Sequence, residues 1–291
     1  MTSIPPDQPV IITGATASGK SKLAVKFASE YGGIILNADA MQVYKNWRIL
    51  SDRPSKEIEK QIDHALYGHV NKGEKYSVGH WLKDIVKFLK GKGRPIVVGG
   101  TGLYLTALTE GLSNIPKIPE EISKEARERY EKEGLFQLLK EMDTTTLETI
   151  DVKNPMRVLR AWEVEKYTGT PLHKLHHTKK TTPFLEIEKT FAILVEVTKE
   201  TTNLRIKERL DKMIKKGALE EVRENLENWN PEDLSSKVLG AKELIAVVKN
   251  QMSLEEAKQH IIVATRQYAK RQRTWFKKRM SAWHQLKNFK E

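Results

Sequence analysis

Apolar and polar positions follow two rhythms over the first 112 residues. Pro9–Thr13 is a short apolar run ending in a glycine-rich turn, and Ser21–Tyr31 continues with helical periodicity through Leu23, Val25, Phe27 and Ala28. Gly33–Leu36 is a second apolar run and leads into Asn37-Ala38-Asp39. Ser77–Leu89 predicts an amphipathic helix, with Ser77 as its N-cap and Trp81, Ile85, Phe88 and Leu89 on one face. Past Gly91–Gly93, Pro95–Val98 is a further buried strand that runs into Gly99-Gly100-Thr101-Gly102. Strands alternating with helices predict a mostly parallel sheet covered on both faces.

The rhythm changes after Asn114, where Pro116 and Pro119 mark a boundary. From Glu120 to Tyr167 the pattern is helical throughout, broken at Asn154-Pro155, and Gly169–Pro183 is a polar stretch that predicts a loop. Phe191–Val197 returns to an apolar, β-branched strand. Long helical stretches follow at Thr201–Leu226, Ser236–Lys249 and Ser253–Met280. The simplest division is an α/β core made of residues 1–114 and 191–291, interrupted by a helical insertion over 115–190.

Composition removes several classes of chemistry. The chain has 291 residues, 39% hydrophobic and 30% charged, as a globular chain with an ample core has. It contains no cysteine, which excludes disulfides, thiolate metal sites and cysteine nucleophiles. No apolar run approaches the roughly 20 residues needed to cross a bilayer, and Met1–Val10 lacks the features of a secretory leader. The expected compartment is the cytoplasm, with no membrane partner. The His173, His176, His177 cluster has no carboxylate near it in sequence and reads as a solvated loop rather than a metal site.

Charge changes the picture more. The formal net charge is +12, and Ala257–Lys290 holds ten basic residues and no acidic one, leaving 40 basic against 38 acidic residues elsewhere. A segregated basic stretch fits a polyanionic partner, and equally a solvated helix face.

Gly14-Ala15-Thr16-Ala17-Ser18-Gly19-Lys20-Ser21 matches the phosphate loop G-x-x-x-x-G-K-[ST], directly after a strand and before a helix. Its backbone N–H groups and the helix N-terminus form an anion nest, Lys20 neutralises phosphate charge, and Thr16 and Ser21 offer hydroxyls, the latter as a ligand for Mg²⁺. A motor NTPase would add an apolar strand ending in Asp, but Ile96–Val98 ends in Gly-Gly-Thr. The apolar run that does end in an acid is Ile34–Asp39. Asp39 therefore stands at the ligand-binding edge of a parallel sheet, as a metal ligand or general base. Two readings stay open at this point. One is a small-molecule kinase with residues 115–190 as a lid; the other is a transferase that holds the diphosphate of a non-nucleotide donor. A GTPase-like switch would need an N-K-x-D motif, which the sequence lacks.

Five blocks in order then resemble one family: Gly14–Ser21, Asp39-Ala40-Met41-Gln42-Val43-Tyr44, Val98–Tyr104, Asn154–Arg160 and Ala264–Gln272. Over residues 8–286 the chain resembles bacterial tRNA dimethylallyltransferases, also called isopentenylpyrophosphate:tRNA transferases. The resemblance implies a P-loop NTPase-like α/β core with a helical insertion that grips the anticodon stem-loop of tRNA. It also implies transfer of the dimethylallyl group of dimethylallyl diphosphate to N6 of the adenosine 3′ of the anticodon, with Mg²⁺. The sequence does not fix the oligomeric state, for which a monomer is the expectation.

Carried onto this sequence, the resemblance implies Asp39 as general base and Thr101 as a contact near the target base. Lys237, where the family usually has Arg, is implied as a second cation for the diphosphate. Contacts to tRNA are implied for Asp39, Ala40, Met41 and Gln42, for Thr101 and Ser123, for Met156, Arg157, Val158, Leu159 and Arg160, and for Gln267, Tyr268, Ala269, Lys270, Arg271 and Gln272. Ala40 departs from the usual Ser, and Ser123 stands near a usually basic position. The spacing of Tyr268, Gln272, Trp275 and Phe276 predicts one buried helix face.

Overall fold

The computed structural model describes residue 5, residues 7–91, 93–178 and 180–287, and residue 289. Lys290 of the basic stretch, residues 1–4 and 6 of the N-terminal segment and residue 179 of the polar stretch lie outside them. Two compact units are formed, Met1–Thr109 with Phe184–Glu291, and Glu110–Pro183. The first unit begins β1 (Val10–Gly14), α1 (Lys20–Tyr31), β2 (Ile34–Asn37), α2 (Lys56–Gln61), β3 (His64–Ala65), α3 (Val78–Leu89), β4 (Pro95–Gly99) and α4 (Gly102–Glu110). The second is built from α5 (Glu120–Glu133), α6 (Leu135–Lys140), α7 (Thr144–Thr149), α8 (Pro155–Thr168) and α9 (Leu172–His176). The chain returns to the first unit as β5 (Phe191–Glu196), α10 (Lys199–Lys215), α11 (Ala218–Glu224), α12 (Ala241–Val248), α13 (Leu254–Arg279) and β6 (His284–Lys287).

Six parallel strands lie in the order β3-β2-β4-β1-β5-β6. The central strands β1 and β4 are buried at every residue, which is why they read as unbroken apolar runs. On one face Val10, Ile12, Ile35, Ile96, Val98, Ile193 and Val195 pack against Ala24, Phe27 and Ala28 of α1. The expected helical face of α1 is thereby shifted, since Leu23 and Val25 are only partly buried and Ala24 takes the core position. In α3, Ser77 accepts from the His80 N–H at 3.3 Å while the His80 ring accepts from the Ser77 N–H at 3.2 Å. A second cluster joins Ile206, Leu210 and Met213 of α10, Leu244 and Ile245 of α12, and Ala257, Ile261, Ile262 and Ala269 of α13. That cluster fixes α13, the helix of the basic stretch, against the unit.

Two long helices expected from the pattern are interrupted. Thr201–Leu226 divides into α10 and α11 at Lys216-Gly217, and Ser236–Lys249 begins as a 3₁₀ turn over Leu234–Lys237 before α12 starts past Gly240. Strands β3 and β6 were not expected. The first has two residues, and the second is a polar, largely exposed edge strand without an apolar run.

Within the second unit Val158, Leu159, Ala161, Trp162 and Val164 of α8 pack with Ala126 of α5 and Leu138 of α6. Asn154 accepts from the Arg157 N–H, and Pro155 occupies the first turn, so α8 starts where the sequence breaks. The expected continuous helix over 120–154 is three helices instead, parted at Gly134 and at Asp143, whose carboxylate caps α7 through the Thr146 N–H at 2.9 Å. The polar stretch expected as loop contains α9, and folding brings a carboxylate to its histidines. His173 Nδ1 lies 3.2 Å from Asp143 Oδ2 and 2.9 Å from Thr146 Oγ1. Among the described residues no group of three or more His, Asp or Glu side chains is arranged to hold a metal ion.

Candidate active site

The phosphate loop leaves β1 at Gly14 and enters α1 through Gly19, which takes φ +91°. Ala17 also takes a left-handed φ of +61°, a conformation unfavourable for a residue with a Cβ, so the loop holds its shape against local preference. Neither a side-chain cap nor an acidic residue blocks the first turn of α1. Its leading N–H groups are the donors an anion needs.

A cavity of about 660 Å³ opens beside the loop, lined by Thr16, Ala17, Gly19, Lys20 and Ser21 of the loop, by Asp39 and Gln42, and by one face of α10. Its charged lining is eight basic side chains (Lys20, Lys22, Arg48, Arg53, Arg205, Arg209, Lys212, Lys216) against four acidic ones (Asp39, Asp52, Glu57, Glu208), an excess suited to an anion with several charges. Burial pushes the Lys20 ammonium below its ordinary pKa; Asp39 and Asp52 oppose that and Arg209 adds to it. Arg209 donates to Thr16 Oγ1 at 2.5 Å and pairs with Asp52 at 2.9 Å. Arg205 donates to the Ser18 carbonyl at 3.2 Å. Neither arginine was singled out from the sequence. Arg205, Arg209, Lys212 and Lys216 do form a basic stripe at helical spacing, but that pattern does not tell a cavity wall from a solvated face.

Asp39 is held on a loop that is tied at both sides. Asn37, fully buried, accepts from the Asp39 N–H at 2.9 Å and donates to the Asp39 carbonyl at 3.0 Å. The Asn37 carbonyl accepts from Trp81 Nε1 at 2.7 Å. Asp39 Oδ1 accepts from the Met41 N–H at 2.9 Å, and Oδ2 takes no hydrogen bond from the described residues. Three tyrosines surround this carboxylate electrostatically. The hydroxyls of Tyr67, Tyr104 and Tyr268 are pushed upward, first by burial and then in part by the Asp39 charge, so they remain neutral.

Thr101, two residues past the end of β4, is tied to the backbone on both sides of Asp39. Its Oγ1 accepts from the Ala40 N–H at 2.9 Å, and its own N–H donates to the Ala38 carbonyl at 3.1 Å. Close approach is possible because Gly99 lacks a Cβ, which would lie 2.0 Å from the Ala38 carbonyl oxygen. The fold thus brings together the loop, Asp39, Ala40, Gln42 and Thr101. Ser21 lines the same cavity as Asp39 and Asp52. The Ser21 hydroxyl is a hard oxygen donor of the kind that would hold Mg²⁺.

Lys237 is not brought to this cavity. It is exposed, and its Nζ donates to the Pro231 carbonyl at 2.7 Å. On α13 the expected contact stretch divides by face. Gln267, Lys270 and Arg271 are exposed, Tyr268 is partly buried, and Ala269 and Gln272 are buried, the first in the helix cluster and the second against the phosphate loop. Arg271 lies over the Tyr268 ring at 5.8 Å. Phe276 is core, whereas Trp275 is partly buried. In the second unit Met156, Arg157 and Arg160 are exposed on α8, Ser123 is partly buried, and Val158 and Leu159 are core. Residues expected as contacts from their motif alone thus turn inward wherever the helical period demands it. The basic stretch is also less uniform than its composition, since Lys258 pairs with Asp211 at 2.8 Å.

A parallel sheet with a glycine-lysine loop at the C-terminal end of its central strand, opening on a cation-lined cavity, defines an α/β protein of the P-loop class. Comparison narrows the class. The family model "IPP transferase" matches residues 42–279, and "Isopentenyl transferase" matches residues 8–74. This chain belongs to the IPP transferase family. It is 49% identical to a tRNA dimethylallyltransferase of Roseobacter denitrificans over 96% of this chain and 98% of that protein. It is 46% identical to one of Cereibacter sphaeroides, over 99% and 91%. Among solved structures, a eukaryotic dimethylallyltransferase acting on tRNA matches with TM-score 0.79 and 26% identity, over 97% of this chain and 74% of that one. A tRNA isopentenylpyrophosphate transferase of Staphylococcus epidermidis matches with TM-score 0.62 and 31% identity, over 96% and 93%. No helix among the described residues is long and apolar enough to cross a membrane.

Proposed function

We propose that this protein transfers the dimethylallyl group of dimethylallyl diphosphate to N6 of the adenosine 3′ of the anticodon in tRNA. The observation that carries this reading is one cavity holding both an anion-binding loop and a carboxylate, Asp39, one oxygen of which takes no hydrogen bond from the described residues. The adenine N6 lone pair forms the new bond to the allylic carbon while the carbon–oxygen bond breaks. The electron pair leaves with diphosphate, and the proton shed by N6 passes to Asp39 Oδ2.

Each residue has a physical task in that step. The N6 amine is a weak nucleophile because its lone pair is delocalised into the ring, and a positioned base contributes about 10²–10⁴-fold. Charge grows on the departing diphosphate, where the loop N–H groups, the Thr16 hydroxyl, Lys20, Arg205 and Arg209 stabilise it. Ser21 would hold Mg²⁺, which when bound supplies further positive charge to the same oxygens. Thr101 fixes the Ala40 backbone and so the aim of Asp39. Lys270 and Arg271 on α13, and Arg157 and Arg160 on α8, are assigned to the tRNA backbone, where such contacts set position rather than sequence. The reacting base must leave its stack to reach a cavity, as modified bases do. The enzyme acts as a monomer in the cytoplasm.

The test is nucleoside mass analysis of unmodified tRNA incubated with the protein, dimethylallyl diphosphate and Mg²⁺. N6-dimethylallyladenosine is expected. Its absence, together with phosphoryl transfer from ATP to a small acceptor, would establish the kinase reading instead.

A further inference from the structure

Gln272 lies in the middle of the most basic helix yet contacts no solvent-facing ligand. It is 6% exposed, and both ends of its amide are engaged. Oε1 accepts from the Thr16 N–H at 2.8 Å, and Nε2 donates to the Gly100 carbonyl at 2.8 Å. The site is shaped for this side chain. A Cβ on Gly100 would fall 2.3 Å from Gln272 Nε2, so a side chain there would push the amide out of its present position.

The two groups it joins belong to opposite halves of the reaction. Thr16 is in the diphosphate loop and is clamped twice, by Gln272 at its backbone and by Arg209 at its hydroxyl. Gly100 precedes Thr101, whose hydroxyl holds the Ala40 N–H next to Asp39. One hydrogen-bonded path therefore runs from the loop through Gln272 to the backbone that aims the carboxylate. Displacement at carbon needs the leaving group and the attacking atom in register, and an error of about 1 Å costs on the order of 10²-fold.

We infer that Gln272 is a positioning residue that sets the distance between the diphosphate loop and the Asp39 loop, and that it does not contact tRNA. The inference deepens the function proposed above and rests on it for the identity of the two halves. An amide is the side chain that fits. One end must accept from an N–H and the other must donate to a carbonyl, which hydrocarbon cannot do and a carboxylate can do only when protonated.

Two variants test it, read by titration with pyrophosphate and Mg²⁺ and, separately, by equilibrium binding of unmodified tRNA. Gln272→Met leaves the Thr16 N–H and Gly100 carbonyl unpaired, and pyrophosphate affinity should fall about tenfold or more with tRNA affinity unchanged. Gln272→Glu should bind pyrophosphate weakly near neutral pH and recover toward wild type as pH falls from about 8 to 5, because its protonated carboxyl restores both hydrogen bonds. Tyr268 on the same helix, Arg209 through Thr16, and Asp39 are the ionisable groups around the strut. The readout is therefore the ratio of variant to wild type at each pH, which cancels their titration and that of pyrophosphate. If Gln272→Met does not fold, the pH-dependent recovery of Gln272→Glu still decides. Weakened tRNA binding with unchanged pyrophosphate affinity, or a Gln272→Glu ratio independent of pH, overturns the inference. If wild type fails to prenylate tRNA, the reaction assigned above is wrong, while the pyrophosphate titrations still report on the strut.

Discussion

The basic residues of α10 and those of α13 have similar sequence appearance and different physical situations. Arg205 and Arg209 are partly buried, donate to the Ser18 carbonyl and the Thr16 hydroxyl, and in the case of Arg209 pair with Asp52. Lys270 and Arg271 are exposed and make no ion pair among the described residues. The first set is held in place before any ligand arrives, so a small anion meets it without ordering side chains. The second is not tied down by ion pairs and keeps its hydration, as suits a large polyanion whose binding is driven by counterion release. Net charge cannot separate the two; hydrogen-bond geometry does.

The largest effect should come from a residue in neither set. Asp39→Ala removes no cation from the cavity, so pyrophosphate and tRNA affinities should largely hold while single-turnover prenyl transfer falls about 10²–10⁴-fold. A single-turnover rate near wild type would remove Asp39 as the base. Arg209→Ala is next. It removes a charged donor from Thr16 and strands Asp52, and pyrophosphate affinity should drop about 10–100-fold, with tRNA affinity unchanged. A matching loss of tRNA affinity would erase the distinction between the two helices.

Much of this was readable from sequence where local pattern and tertiary role coincide. The P-loop has a residue pattern of its own between a strand and a helix, and β1 and β4 are buried on both faces, so each announces itself. Asp39 was legible because an apolar strand ended at it. Arg205 and Arg209 were not, because a basic helical stripe reads the same whether it faces solvent or a cavity. Gln272 was read two ways, as a tRNA contact from its motif and as part of a buried face from its spacing with Tyr268, Trp275 and Phe276, and the structure buries it. Its motif neighbours Lys270 and Arg271 face outward, and only the helical period, fixed by the packing of Ala269 and Phe276, turns it inward. The same logic put Val158 and Leu159 in the core while Arg157 and Arg160 stayed exposed. Lys237 was matched by position in a motif, yet the 3₁₀ turn before α12 directs it to the Pro231 carbonyl.

The outward set gives a moderate effect with a distinct signature. Charge reversal at Lys270 and Arg271 should raise KM for tRNA and leave KM for the prenyl donor unchanged. The slope of log affinity against log salt should shrink by about 0.7 for each single-stranded RNA phosphate that is no longer neutralised. An unchanged slope would mean that these side chains face solvent in the complex too.

The smallest effect probes the inward set by pH. Burial holds the Lys20 pKa below its ordinary 10.5, with Asp39 and Asp52 only partly offsetting it. The ammonium therefore loses its proton earlier than a free lysine as pH rises, and pyrophosphate affinity should begin to fall before 10.5, by at most tenfold per pH unit. Bound diphosphate favours the charged form, so binding in that window takes up a proton. The stability sign is opposite. With no ligand the folded state binds the proton less well than the unfolded chain, so stability rises as pH climbs from the folded-state pKa toward 10.5. Lys20→Arg keeps its charge throughout, and its pyrophosphate affinity should stay level where wild type declines. Parallel decline in the two proteins would assign the titration to another group in the cavity, and the inward cations would then share the charge more evenly than the position of Lys20 implies.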